Sequence, residues 1–83
     1  MQVDYDSDVP PYQQIANDLR ARIVSGELPG RARLPSVERL VQEVGVARTT
    51  ARKALGLLVD EGLARRVTGW GTYVTPEDER PPA

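Results

Sequence analysis

Apolar side chains recur at helical spacing in three stretches of the chain. In the first, Tyr12, Ile15, Ala16, Leu19 and Ile23 fall within an arc of about 100° on a helical wheel. Pro10-Pro11 suits a helix start, because proline has no N–H to lose in the first turn, and Gly26 suits its end. The pattern predicts a helix over about 11–25, then a turn at Pro29-Gly30. In the second stretch, Val37, Leu40, Val41 and Val44 form one stripe, with Ser36 as N-cap and Gly45 as terminator. Val46-Ala47 leaves room only for a tight connection. The third helix is predicted over about 48–61, ending at Gly62. With Arg48 at 0° on its wheel, Ala51, Ala54, Leu55 and Leu58 fall between about 240° and 340°. Thr49, Arg52, Lys53 and Asp60 fall between about 40° and 140°, on the opposite side.

The rest of the chain follows a period of two or none. Arg31 to Leu34 alternates polar and apolar, enough for a short strand. Leu63 to Val67 and Thr72 to Thr75 read as the two strands of a hairpin. Gly69 and Gly71 permit its tight loop, with Trp70 between them. Residues 1–9 show no period and are expected to form a flexible acidic arm. Residues 76–83, PEDERPPA, are proline-rich and charged, and read as a disordered tail or the start of a linker. The expected fold is mainly α with a small β-hairpin. A short helix, a glycine turn and a helix with a polar outer face make a helix-turn-helix, and the hairpin after it makes a wing. The winged helix-turn-helix would occupy residues 10–75.

Composition narrows the chemistry. At 83 residues with 40% hydrophobic and 28% charged side chains, one soluble domain is expected. There is no cysteine and no histidine, which excludes disulfides, thiolate metal sites and histidine-based catalysis. No cofactor is called for, and an enzyme is not expected. Nothing resembles a signal core or a membrane span, and a cytoplasmic location is expected. The net charge of −1 argues against a polyanionic partner, but its distribution does not. Residues 1–18 hold four aspartates and no cation, and acidic residues dominate 77–80. Residues 19–76 hold ten cations against five anions. A basic body with acidic ends is compatible with binding nucleic acid, because the local field matters more than the sum.

The start of the third helix is the sharpest candidate site. Arg48, Thr49 and Thr50 stand in the first turn, where free N–H groups and the positive dipole end already favour an anion. A helix built for stability alone would carry Asp or Glu there. An external anion would offset that local cost.

Five segments in order, "PPYQQIANDLRARIVSGELPG", "LPSVERL", "GVARTTARKAL", "DEGLARR" and "GWGTYV", resemble the amino-terminal DNA-binding domain of the GntR family of bacterial transcription regulators. The resemblance covers about residues 10–75. It implies that the third helix is the recognition helix. Arg48, Thr49, Thr50 and Arg52 match the family's groove and phosphate contacts, and Thr68 and Gly69 match its wing contacts in or beside the minor groove. Ser36 caps the second helix where a backbone N–H can meet a phosphate. Three positions depart from the family pattern. Glu38 replaces a common Arg, and Arg39, one residue later, points about 100° away around the helix. Glu38 can accept from a cytosine amino group or simply repel phosphate. Ala47 replaces a capping Ser or Thr. Trp70 replaces a wing-tip Arg, and can stack on a sugar edge or fold back onto the protein.

The function implied is a sequence-specific, double-stranded DNA-binding regulator, of the repressor kind. It would bind a palindromic operator as a homodimer, with no membrane partner. An effector ligand is implied only if a C-terminal domain follows this chain. A winged helix serving protein–protein contact without DNA is the alternative reading. Lys53, Arg65 and Arg66 are left open between surface charge and contact. Arg20, Arg22 and Arg31 fit plain surface charge.

Overall fold

Pro11 occupies the first position of helix α1 (Pro11–Ser25), with Pro10 as its N-cap. The computed structural model describes residues 1–82. The helix buries Ile15, Ala16, Leu19 and Ile23, while Tyr12 is half-buried at the end of the same stripe. Helix α2 (Val37–Val44) begins where the Ser36 hydroxyl accepts a hydrogen bond from the Arg39 N–H at 3.1 Å. Leu40 is its one fully buried side chain among the described residues. Gly45 ends α2 in the left-handed region at φ 79°, a conformation that costs a side-chain-bearing residue more than glycine. Val46 then drops into the core, and helix α3 (Arg48–Asp60) begins.

The core lies where α1 and α3 face each other. Ile15, Leu19 and Ile23 of α1 cluster with Ala51, Ala54, Leu55 and Leu58 of α3. Leu34, Leu40, Val46, Ala64 and Val74 close the cluster from the other elements. Burying each Ile or Leu stabilises by about 1.5–3 kcal/mol relative to exposure. A polar clamp supplements this packing. The Arg20 guanidinium meets the Glu61 carboxylate through Nε at 2.7 Å and Nη2 at 2.5 Å, tying α1 to the C-cap of α3. Hydrogen bonding to Glu61 raises the Arg20 pKa further above its already high value. Arg20, read from the sequence as surface charge, is therefore a structural tie.

Strands β1 (Ala64–Val67) and β2 (Gly71–Val74) pair antiparallel, from Ala64 opposite Val74 to Val67 opposite Gly71. The strand expected at 31–34 shortens to a single bridge, Arg33 opposite Tyr73. Arg31 has φ 72°, outside strand geometry, and Pro35 cannot extend the ladder. Backbone bonds from Arg31 N–H to the Val74 carbonyl and from Leu34 N–H to the Thr72 carbonyl, both 2.8 Å, still hold this segment to β2. The wing thereby hangs from the core by its inner edge.

The two ends lie against the domain. Residues 1–9 form turns without helix or strand. The Gln14 amide donates to the Asp4 and Val9 carbonyls, and the Tyr5 hydroxyl donates to the Gly45 carbonyl at 3.1 Å. These bonds lay the segment against α1 and the interhelical turn. At the other end, Glu77–Glu79 form one 3-10 turn, and Arg80 donates to the Thr75 carbonyl at 2.9 Å.

Leu58 is fully buried between α1 and α3. Leu58→Ala is expected to cost about 2–5 kcal/mol, read as a lower midpoint of denaturant unfolding. A Val24→Ala control, at 71% exposure on α1, should leave that midpoint nearly unchanged.

Candidate nucleic-acid interface

The apolar stripe of α3 faces α1, so the opposite face of α3 is left outward. Thr49, Arg52 and Lys53 are exposed along it, Arg48 is exposed at its edge, and Thr50 is half-buried. Ala47 is the N-cap, with extended backbone at φ −68° and ψ 155° and no side-chain cap. The first-turn N–H groups therefore point outward without a protein cap, beside the guanidinium of Arg48. This arrangement favours an incoming anion through dipole and free donors together.

The cations are not equivalent. Arg48 Nη2 donates to Glu38 Oε1 at 2.7 Å, joining the starts of α3 and α2. Arg39 turns along its own helix to Glu43, at 3.0 Å. Lys53 Nζ sits 4.1 Å from the centre of the Tyr12 ring, a cation–π contact on the α1 side. Arg52 has no carboxylate within ion-pair distance among the described residues. The Glu38 carboxyl is held below the ordinary range, first by a hydrogen bond from its own backbone N–H and then by Arg48. It is thus ionised at neutral pH, and the pair persists there.

Thr68, Gly69 and Trp70 form the loop between β1 and β2 and are exposed. Gly69 adopts φ 81°, which the tight loop requires. The Trp70 side chain is 70% exposed at the tip, so it does not fold back into the core. Its backbone is fixed by its own N–H bonded to the Val67 carbonyl and by the Tyr73 hydroxyl bonded to its carbonyl.

Between the wing and the two helices lies an open cleft of about 490 Å³, bordered by Ser36, Glu38, Arg33, Arg66, Thr68 and Trp70. A neighbouring hollow brings Arg52 of α3 next to Arg66 and Thr72 of the wing. Arg33 and Arg66 border this candidate interface; the sequence assigns no role to Arg33 and leaves Arg66 open. Composition does not separate Arg66 from Arg65, yet the two point apart. Strand period puts Arg66 on the face of buried Ala64, toward α3, where its guanidinium lies over Gly56. Arg65 takes the outer face and pairs with Glu79 at 3.1 Å. Alternation from Ala64 was the signal that separates them.

Three helices, a short tight turn before the third, its exposed basic face and a hairpin alongside define a winged helix-turn-helix domain. The family model described as "Bacterial regulatory proteins, gntR family" matches residues 11–74, and the chain belongs to that family. It is 40% identical over 75 residues to the HTH-type transcriptional repressor NagR of Bacillus subtilis, covering 90% of this chain and 31% of NagR. It is 46% identical over 69 residues to the mannosyl-D-glycerate transport/metabolism system repressor MngR of Escherichia coli, covering 82% of this chain and 28% of MngR. This chain thus spans about a third of those relatives' length. Among solved structures, AraR(DBD) in complex with operator ORE1 superposes with a TM-score of 0.78 at 34% identity, covering 88% of this chain and 89% of that one.

Ala47 already has the extended backbone of a capping residue, so Ala47→Ser should gain about 1 kcal/mol. The melting temperature should rise by about 4–8 °C. For Glu38, the lowered pKa means that its contribution to stability is present above the unfolded glutamate value. It is lost as pH falls through the lower folded value. Carboxyl chemical shifts followed over pH should place the Glu38 midpoint below that of exposed glutamates, and Arg48→Ala should move it upward.

Proposed function

We infer that this chain is the sequence-specific, double-stranded DNA-binding domain of a transcription regulator. One observation carries the reading: Arg48, Thr49 and Arg52 stand exposed at the uncapped start of α3, outside its buried stripe. The major groove, about 12 Å wide, admits one helix. In this reading α3 enters it with Arg48 and Arg52 at guanine edges or phosphates. Thr49 and Thr50 reach phosphates or bases, and Ser36 and Arg39 lie near the backbone at the start of α2. Thr68, Gly69 and Trp70 take the wing to the neighbouring minor groove. Arg33 and Arg66 add cations to the cleft that the phosphate backbone would cross. The likeness to AraR(DBD), solved with its operator, supports double-stranded DNA as the partner. The repressor names of NagR and MngR support repression as the output, and a cytoplasmic location accords with a regulator that binds DNA. Two copies on a palindromic operator would match protein two-fold symmetry to the DNA.

Fluorescence anisotropy on duplexes from the region upstream of the protein's own gene tests the reading, at two salt concentrations. Binding should weaken at the higher salt. Arg48→Ala and Arg52→Ala should each weaken the complex, by about 1–3 kcal/mol if a base contact is lost. Each lost phosphate contact should reduce the slope of log K against log salt by about 0.9. Unchanged affinity in both variants would remove the assignment.

A further inference from the structure

We propose that Glu38 and Arg48 act as one reading unit for a single G·C base pair in the major groove. The proposal rests on α3 lying in that groove, as inferred above. The two side chains come from different helices, yet Arg48 Nη2 donates to Glu38 Oε1 at 2.7 Å. Their side chains are 54% and 61% exposed, so their remaining hydrogen-bonding atoms are open to a third party.

The chemistry of the pair fits one base-pair edge. A G·C pair presents, in order, the guanine N7 acceptor, the guanine O6 acceptor and the cytosine N4 amino donor. O6 and N4 are hydrogen-bonded to each other and so stand about 2.9 Å apart. The protein pair sets a donor nitrogen beside an acceptor oxygen at nearly the same separation. A guanidinium has five N–H donors, and Glu38 uses one of them. A second Nη2 hydrogen and a neighbouring N–H remain for O6 and N7. The carboxylate keeps lone pairs for N4–H. An A·T pair presents a donor where G·C has O6 and an acceptor where it has N4. Arg48 would then meet an N–H and Glu38 a carbonyl oxygen, both repulsive.

Charge points the same way. An isolated Glu38 would repel the phosphate backbone, and an isolated Arg48 would bind it. Joined, they form a neutral pair with little pull toward phosphate, leaving hydrogen-bond pattern as the source of affinity. Arg39 offers no rival partner for Glu38, being engaged by Glu43.

Selection from a duplex pool randomised over about two helical turns tests this, using the full chain, Glu38→Gln and Glu38→Ala. The wild-type chain should select a motif with a fixed G·C pair. Replacing its cytosine by a pyrimidine without the 4-amino group should weaken binding about tenfold. That loss should vanish in Glu38→Ala, and Glu38→Gln should relax the choice at this position alone. The proposal is overturned if all three proteins select the same motif with the same penalty for the missing amino group. It is equally overturned if both variants bind every duplex more tightly, with a steeper salt dependence and an unchanged motif. If the wild-type chain selects no motif at all, the DNA-binding reading falls with it. A wild-type motif that ignores Glu38 overturns this proposal only.

Discussion

The fold turns on one constraint: α3 has a single face that the core can use. Ala51 and Ala54 are fully buried against α1, and at those positions any larger side chain would push the helices apart. Leu55 and Leu58 complete the same stripe. The side chains across from that stripe, Thr49, Arg52, Lys53 and Asp60, are polar and exposed. The polar half of α3 must therefore be surface. Everything that gives the domain a binding side follows from that division, including the outward placement of Arg48, Thr49 and Arg52.

The remaining elements fix how that surface is presented. Gly45 permits the abrupt turn after α2, and Val46 anchors the connection in the core. This sets α2 and α3 close enough for Glu38 to reach Arg48 across ten residues of sequence. The wing is positioned from its inner edge, where Val74 is buried and Arg33 bridges Tyr73. Gly71 leaves the space that the Arg33 guanidinium fills, 3.1 Å from where a β-carbon would stand. A β-carbon at position 71 would press on the Arg33 guanidinium and make it give by a few tenths of an ångström.

The helices were legible in the sequence because each signal is local. Pro11, Gly26, Ser36 and Gly45 punctuate them, and the apolar stripes are confined to one face. The departures have tertiary causes. Residues 31–34 alternate like a strand, but the positive φ of Arg31 and the neighbouring Pro35 limit pairing to one bridge. Residues 4–9 carry no periodicity, so their attachment through Gln14 and Gly45 could not be read from spacing. Glu38 looked like a departure at an isolated position. Its meaning depends on the crossing of two helices, which no local pattern encodes. Trp70 left two conformations open, and only the assembled hairpin shows it projecting from the tip.

Net acidity and a basic face are consistent in one molecule because the cations are sorted. Arg22, Arg39, Arg48 and Arg65 each have a carboxylate within ion-pair distance on the surface. Arg33, Arg52 and Arg66 have none among the described residues, and all three border the hollows between the helices and the wing. Exposed ion pairs contribute little net stability, so their members can change partners readily. Affinity for DNA of any sequence is almost wholly electrostatic and grows with each phosphate neutralised. Neutralising Arg39 and Arg48 internally lowers that general affinity. Hydrogen bonds to base edges are not lowered with it. In the proposed interface, pairing would raise the ratio of specific to non-specific binding, and that ratio decides occupancy against a genome of competing sites. An acidic chain with a few unpaired arginines at one cleft has the charge pattern that such discrimination requires.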